Sequence, residues 1–189
     1  MNFKRLEKNI VSVLESRLSS GRLSHIFSVS RMAYDLAKYF NLDCNRHKIL
    51  GLLHDLCKEE KRPLQKKIIQ KYYSNDLILL ENSALYHAKT SYFEAQKLFS
   101  LSSEFLSPIL WHTTGKSCMS LDDKVLYISD YIEPLRPWYE DSFLQDAKDD
   151  IDKLLLKILV KKISYTMKNN KQVHPDSLDC YNYLVLNKV

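Results

Sequence analysis

ILGLLHDLCKEEKRPL, residues 49–64, runs from apolar side chains straight into His54 and Asp55 and then into a charged stretch. Ile49, Leu50, Leu52, Leu53 and Leu56 recur at helical spacing, so they form the buried face of a helix. A histidine and an aspartate carried on such a face enter a core. A polar group left there without a partner costs roughly 2–7 kcal/mol. The partner is another side chain, a water or a metal ion, and the rest of the chain has to supply it. Adjacent residues on an ideal helix point about 100° apart, so both groups reach one ligand only near a helix end. The KEEK run just beyond them places such an end there, and Pro63 marks a break or a new start.

The helical spacing continues on both sides of this stretch. Phe3, Leu6, Ile10, Val13 and Leu14 mark a first helix, with Gly21 placed to end it and Ser24 to cap the next. That second helix carries Ile26, Val29, Ala33, Leu36 and Phe40 on one face. SALYHAKTSYFEAQKLF and SSEFLSPILWH read as two more helices, followed by a TTGKSCM loop. Ser120, three residues before Asp123, gives a capping-box start to LDDKVLYISDYIEP, which Pro134 and Pro137 close. One long amphipathic helix over 142–168 and a final one in LDCYNYLVL complete an all-α chain. The 3 glycines and 5 prolines leave little material for tight hairpins, in keeping with a helical bundle.

The formal charge of +5 is mild, and Lys and Arg are scattered without the basic, aromatic-interleaved stripe of a nucleic-acid binder. Cys44, Cys57, Cys118 and Cys180 form no C-x-x-C pair and are expected to be free thiols of a reducing compartment. MNFKRLEKNIVSVLESRL lacks the pattern of a signal peptide, and LLLKILV is far too short to span a bilayer. The expectation is a cytoplasmic protein with neither nucleic acid nor membrane as partner. The apolar positions of the first and last helices fit a homodimer interface as well as a core.

Four histidines stand at comparable places: His25 at a helix start, His54 with Asp55 at a helix end, His87 early in a helix and His112 after PILW. Asp130 lies inside the apolar helix VLYISDYI. A lone histidine on an apolar face is more often a hydrogen-bonded core residue than a ligand, and His47 and His174 read as solvent histidines. Inward polar sites on successive helices are hard to treat as separate accidents. Imidazole with carboxylate suits a borderline or iron-type ion, where an all-oxygen set would suit magnesium or calcium. A bundle interior is where facing helices build such a site. Trp111, Tyr127, Tyr131 and Trp138 read as core or lip packing first and as base-stacking surfaces second.

The ordered set His25, His54–Asp55 and Asp130 resembles the signature of HD-domain metal-dependent phosphohydrolases. RLSHIFSVSRMAYDLA, LLHDLCKE, WHTTGKSCMSLDDKVLYISDYIEPLRP and VHPDSLDCYNY are similar to one branch of that superfamily, the YqeK-type hydrolases of symmetrical dinucleoside tetraphosphates. The resemblance implies a single HD-type domain over 1–189, with the metal and phosphate core at about 18–137 and the helices of 142–189 completing the pocket. It implies a metal, iron above others, on His25, His54, Asp55 and Asp130. His87 and His112 are either phosphate contacts or ligands of a second ion bridged by Asp55. Arg22, Lys58, His87, His112, Thr113 and Arg136 would surround the nucleotide phosphates, with His174 and Pro175 against the nucleoside. Asp55, Lys58 and His112 would carry the catalysis. Lys58 by itself reads as part of a solvated helix end, and Cys57 beside an iron would be open to oxidation. The implied reaction splits diadenosine tetraphosphate into two ADP. A phosphohydrolase for a nucleoside monophosphate or guanosine alarmone, and a non-catalytic nucleotide-binding module, are the alternatives.

Overall fold

The computed structural model describes residues 2–187; Met1, Lys188 and Val189, at the ends of the expected domain, lie outside the described residues. Among the described residues there are helices and no strands. In chain order they are α1 (Phe3–Arg17), α2 (Ser20–Tyr39), α3 (Cys44–Leu53), α4 (Arg62–Tyr72), α5 (Leu77–Glu81), a 3₁₀ turn at Ser83–Leu85, α6 (Tyr86–Phe99), α7 (Ser103–Trp111), α8 (Leu121–Ile132), α9 (Phe143–Asp149), α10 (Ile151–Lys168) and α11 (Pro175–Leu186). No helix is long and apolar enough to cross a membrane among the described residues.

Local chemistry sets most of the boundaries. Ser120 and Asp123 form the capping box at the start of α8, each accepting the other's backbone N–H. Pro63 sits in the first turn of α4, where its missing N–H costs no intrahelical bond. The spacing misplaces the first junction: α1 already ends at Arg17, Ser19 caps α2, and Gly21 and Ser24 lie inside that helix. The Ser19 hydroxyl also reaches Glu59, so a contact distant in sequence helps to choose this cap. The expected helix over 142–168 is two helices. Asp150 breaks it with an extended backbone, and its side chain accepts from the N–H groups of Asp152 and Lys153 to cap α10. α5 and the 3₁₀ turn interrupt the stretch before α6, and α11 begins at Pro175, ahead of LDCYNYLVL. His47 is not a solvent histidine. It is fully buried, with Nδ1 donating to the Asp43 carbonyl (3.0 Å) and Nε2 3.2 Å from the Asp122 carboxylate.

Beside a small cluster of Ile69, Leu79 and Tyr86 that joins α4, α5 and α6, two larger apolar cores hold the helices. One joins α1, α2, α3, α6 and α7 around Ile10, Val29, Leu50, Leu53 and Leu106; the other joins α2, α8, α9, α10 and α11 around Leu36, Ile128, Phe143, Leu155 and Leu184. Each fully buried Leu or Ile contributes about 1.5–3 kcal/mol. α2 and α8 contribute to both cores, and they carry His25 and Asp130. The crossing of α2 over α3 is unusually close. A Cβ on Gly51 would stand 2.5 Å from the Ser30 Cα, so only glycine lets the two backbones meet there. Ser30 Oγ donates to the Lys48 carbonyl at 2.8 Å and fixes the same crossing.

Candidate active site

The close crossing brings His25, one turn before Val29, against His54, one turn after Leu50. His54 is the C-cap of α3, and the chain leaves the helix through Asp55 to Lys58 in a turn closed by Lys58 N–H on the Asp55 carbonyl (2.9 Å). Asp55 is thereby swung round to the same side as His54, which a continuing helix would forbid. His112 repeats the device as the C-cap of α7.

The tautomers follow from the hydrogen bonds. His54 Nδ1 donates to the Gly51 carbonyl (2.7 Å) and His112 Nδ1 to the Ile109 carbonyl (2.8 Å). His25 Nδ1 lies 3.0 Å from Glu133 Oε1 and donates to that carboxylate. With Nδ1 protonated, each Nε2 carries a lone pair, and these face inward. His25 Nε2 and His54 Nε2 stand 3.3 Å apart, and His87 Nε2 and His112 Nε2 3.2 Å apart. Burial pushes the His54 imidazole down to about 4 and His87 well below its ordinary value, so both are neutral near pH 7.

Two carboxylates complete the floor. Asp55 Oδ1 is 3.2 Å from His87 Nε2 and 3.8 Å from His112 Nε2, while Oδ2 is 3.7 Å from both His25 and His54 Nε2. Asp130 Oδ1 is 3.2 Å from His25 Nε2 and 3.7 Å from His54 Nε2. Burial acts to raise both carboxyls, and their neighbours outweigh it. Both are nonetheless held well below the usual carboxylate range by the groups packed around them, with the Lys58 ammonium beside Asp55 and the Arg136 guanidinium beside Asp130. Asp55 Oδ1 is buried with no hydrogen-bond partner. Inward lone pairs, an orphaned carboxylate oxygen and imidazoles anchored at Nδ1 are what a cation needs. The donor atoms of His25, His54 and Asp130, and those of His54, Asp55 and His112, each lie within 4.8 Å of one another. The residues fit a metal ion.

Cations rim this floor. Arg22 Nη1 donates to Asp55 Oδ2 at 2.7 Å, and Arg136 pairs with Asp130 and reaches to 3.4 Å from His25 Nε2. Lys58 is not a solvated helix end: it is partly buried, with Nζ 3.1 Å from His87 Nε2 and 3.9 Å from Asp55 Oδ1, and burial lowers its pKa. His174 is not a solvent histidine either. It caps α11, Nδ1 accepting from Asp176 N–H (3.2 Å) and Nε2 donating to Asp76 (2.9 Å), away from the imidazole cluster. It shares a cavity of about 130 Å³ with Thr113, whose buried Oγ1 has no partner, while Pro175 is exposed. Cys57 is buried in the core and its thiol is pushed up to about 12, so it stays protonated and unreactive.

Residue patterns missed two participants. Glu133 is 1% exposed and binds His25 Nδ1; its place in DYIEP, three residues after the Asp130 ligand position, is the only signal for it. Lys162 of α10 donates to the Thr113 carbonyl at 2.9 Å and stands 4.1 Å from the Tyr127 ring centre, and burial pushes it down to about 8. In sequence it is one lysine of a KK pair.

Comparison with known proteins places this geometry in context. A family model for the HD domain matches residues 22–135. The chain is 31% identical over 179 residues to the symmetrical bis(5'-nucleosyl)-tetraphosphatase of Halalkalibacterium halodurans, covering 93% of this chain and 95% of the relative. Against the enzyme of the same name from Bacillus subtilis the identity is 30% over 177 residues, with 93% and 95% covered. Among solved structures, a Clostridium acetobutylicum protein described as a "predicted HD superfamily hydrolase involved in NAD metabolism" aligns with a TM-score of 0.89 and 30% identity. That alignment covers 96% of this chain and 98% of the other.

Proposed function

The chain belongs to the HD-domain family, and from that premise we propose that it is a metal-dependent hydrolase that splits diadenosine tetraphosphate symmetrically into two ADP. The observation that carries the reading is the floor of converging lone pairs with the unpartnered Asp55 Oδ1 among them, ringed by arginine and lysine. His25, His54, Asp55 and Asp130 would hold the ion, and His54, Asp55 and His112 form a second donor group beside it. The imidazole-rich set favours iron over magnesium or calcium. When bound, the ion supplies a Lewis acid that polarises a phosphoryl oxygen and lowers the pKa of water towards about 7.

The chain's own groups do the rest. A tetraphosphate bridge carries about four negative charges, and Arg22, Lys58 and Arg136 stand at the rim to offset them, the arginines as forked donors. His87 and His112 lie beneath them on the floor beside Asp55, and Thr113 lines the smaller cavity shared with His174. Water attacks an inner phosphorus in line, the bridging P–O bond breaks, and its electrons leave with the departing ADP. Asp55, whose Oδ1 has no other hydrogen-bond partner, would accept the water's proton. Lys58, its ammonium acidified by burial, neutralises the oxygen of the leaving ADP. Residues from about 18 to 137 make the metal and phosphate part, and α10 and α11 complete the pocket through Lys162 and His174. The four free thiols support a cytoplasmic location.

The test is product analysis. Metal-loaded protein incubated with diadenosine tetraphosphate is expected to give ADP alone, and a chelator or His54→Ala to abolish the reaction. AMP with ATP would overturn the symmetrical cut.

A further inference from the structure

We propose that the cleft between the loop after α8 and the outer half of α10 binds the second nucleoside of the dinucleotide, its purine base lying against Trp138 and Tyr165. The proposal rests on the hydrolase reading above and extends it outward from Arg136, already placed on the phosphates, to Trp138 and Tyr165. The cleft measures about 580 Å³ and has Asp130 and its partner Arg136 in its lining, so its inner end borders the reaction centre. Arg136, Lys161 and Lys162 stand along it with Tyr131, Trp138 and Tyr165. Arg136 and Lys162 lie nearest the floor, one paired with Asp130 and the other bonded to the Thr113 carbonyl, whereas Tyr165 is 65% and Trp138 44% exposed. Cations inside and open aromatic faces outside follow the order of phosphate and then base along a nucleotide.

The indole is held in place. Trp138 Nε1 donates to the Tyr131 carbonyl at 3.0 Å, the two ring centres are 5.5 Å apart, and the Arg136 guanidinium lies 5.4 Å from the indole centre. An aromatic ring fixed at the surface beside cations is a stacking platform for a base. Symmetrical cleavage also requires space for an ADP on each side of the P–O bond that breaks. Lys162 lines both this cleft and the smaller cavity of Thr113 and His174, so one cation stands between the two recesses. The arrangement has two arms, as the substrate does.

The experiment is an ADP titration of the metal-loaded protein by calorimetry, with thermal midpoints recorded for each variant. Wild type is expected to bind two ADP per chain. Trp138→Ala and Tyr165→Ala are expected to weaken one site about tenfold or more, while Trp138→Phe keeps both and inorganic triphosphate binds all of them alike. In the same variants KM for diadenosine tetraphosphate should rise by about as much, with kcat little changed. A single ADP site in wild type that Trp138→Ala leaves intact overturns the cleft assignment, even if the substrate is cut to ADP. Two sites in wild type, both retained in Trp138→Ala and Tyr165→Ala, overturn it as well. Two sites with one lost in the variants sustain it, even if wild type yields AMP and ATP, a result that would overturn the symmetrical cut alone.

Discussion

The floor of the site and its rim are built on opposite plans. On the floor, His54 and His112 are 0% and 1% exposed, each caps a helix, and each ties Nδ1 to the carbonyl three residues back. On the rim, the side chains of Arg22, Lys58 and Arg136 are 25%, 33% and 23% exposed and reach inward on long, flexible stems. Short side chains clamped to backbone fix lone pairs to within tenths of an ångström, as metal ligation demands. Long cations tolerate displacement, and a polyphosphate that moves through the site needs that tolerance. Substitutions on the floor should therefore abolish function, whereas those on the rim should grade it.

The largest effect is expected from Asp55→Asn. The amide keeps the shape but offers one acceptor in place of two, and its NH₂ turns a donor towards either the His87 or the His54 side. Metal content should fall, and kcat for diadenosine tetraphosphate should drop about 10³-fold or more. A variant with full metal and full rate would break the division between floor and rim. Glu133→Ala tests the floor one bond further out. Without the carboxylate, His25 Nδ1 loses its acceptor and the ring loses its fixed tautomer. Metal affinity is expected to fall about 10–100-fold by competition with a chelator, with turnover recovering at saturating metal. Glu133→Gln keeps an acceptor oxygen and should fall between the two.

The same division explains what the sequence makes legible. His25, His54–Asp55 and Asp130 can be found because a polar residue on an apolar helical face is anomalous under local rules, and the all-α architecture follows from the same periodicity. Lys58 is found only through the family resemblance and Lys162 not at all, because a lysine beside other charged residues is locally ordinary; the packing of α6 and α10 shows where each points. Glu133 escapes because its partner lies 108 residues away. The helix breaks are missed for a related reason. Asp150 reads as one more polar position of an amphipathic helix, yet it caps the next one. Ser19 outcompetes Ser24 through a contact with Glu59 that lies 40 residues away.

The smallest effect, and the one that sharpens the contrast most, is expected from Lys162. Its pKa falls from 10.5 to about 8 in the folded chain because burial disfavours the ammonium. Below pH 8 both states are protonated, and the fold bears the full cost of a desolvated charge. Between 8 and 10.5 the folded chain releases its proton first, the cost fades, and stability rises with pH; above that range nothing remains. Lys162→Met should thus stabilise the protein at pH 7 by about 1–2 kcal/mol, after discounting for its partial exposure, and the gain should vanish near pH 10.5. Urea melts of both proteins at pH 7 and 10 check it. If the lysine's place at the centre serves the phosphates, the stabilised variant will also show a raised KM, because a charge kept at a cost to the fold is kept for its ligand. Stabilisation with an unchanged KM would leave Lys162 a merely structural link between α10 and Thr113.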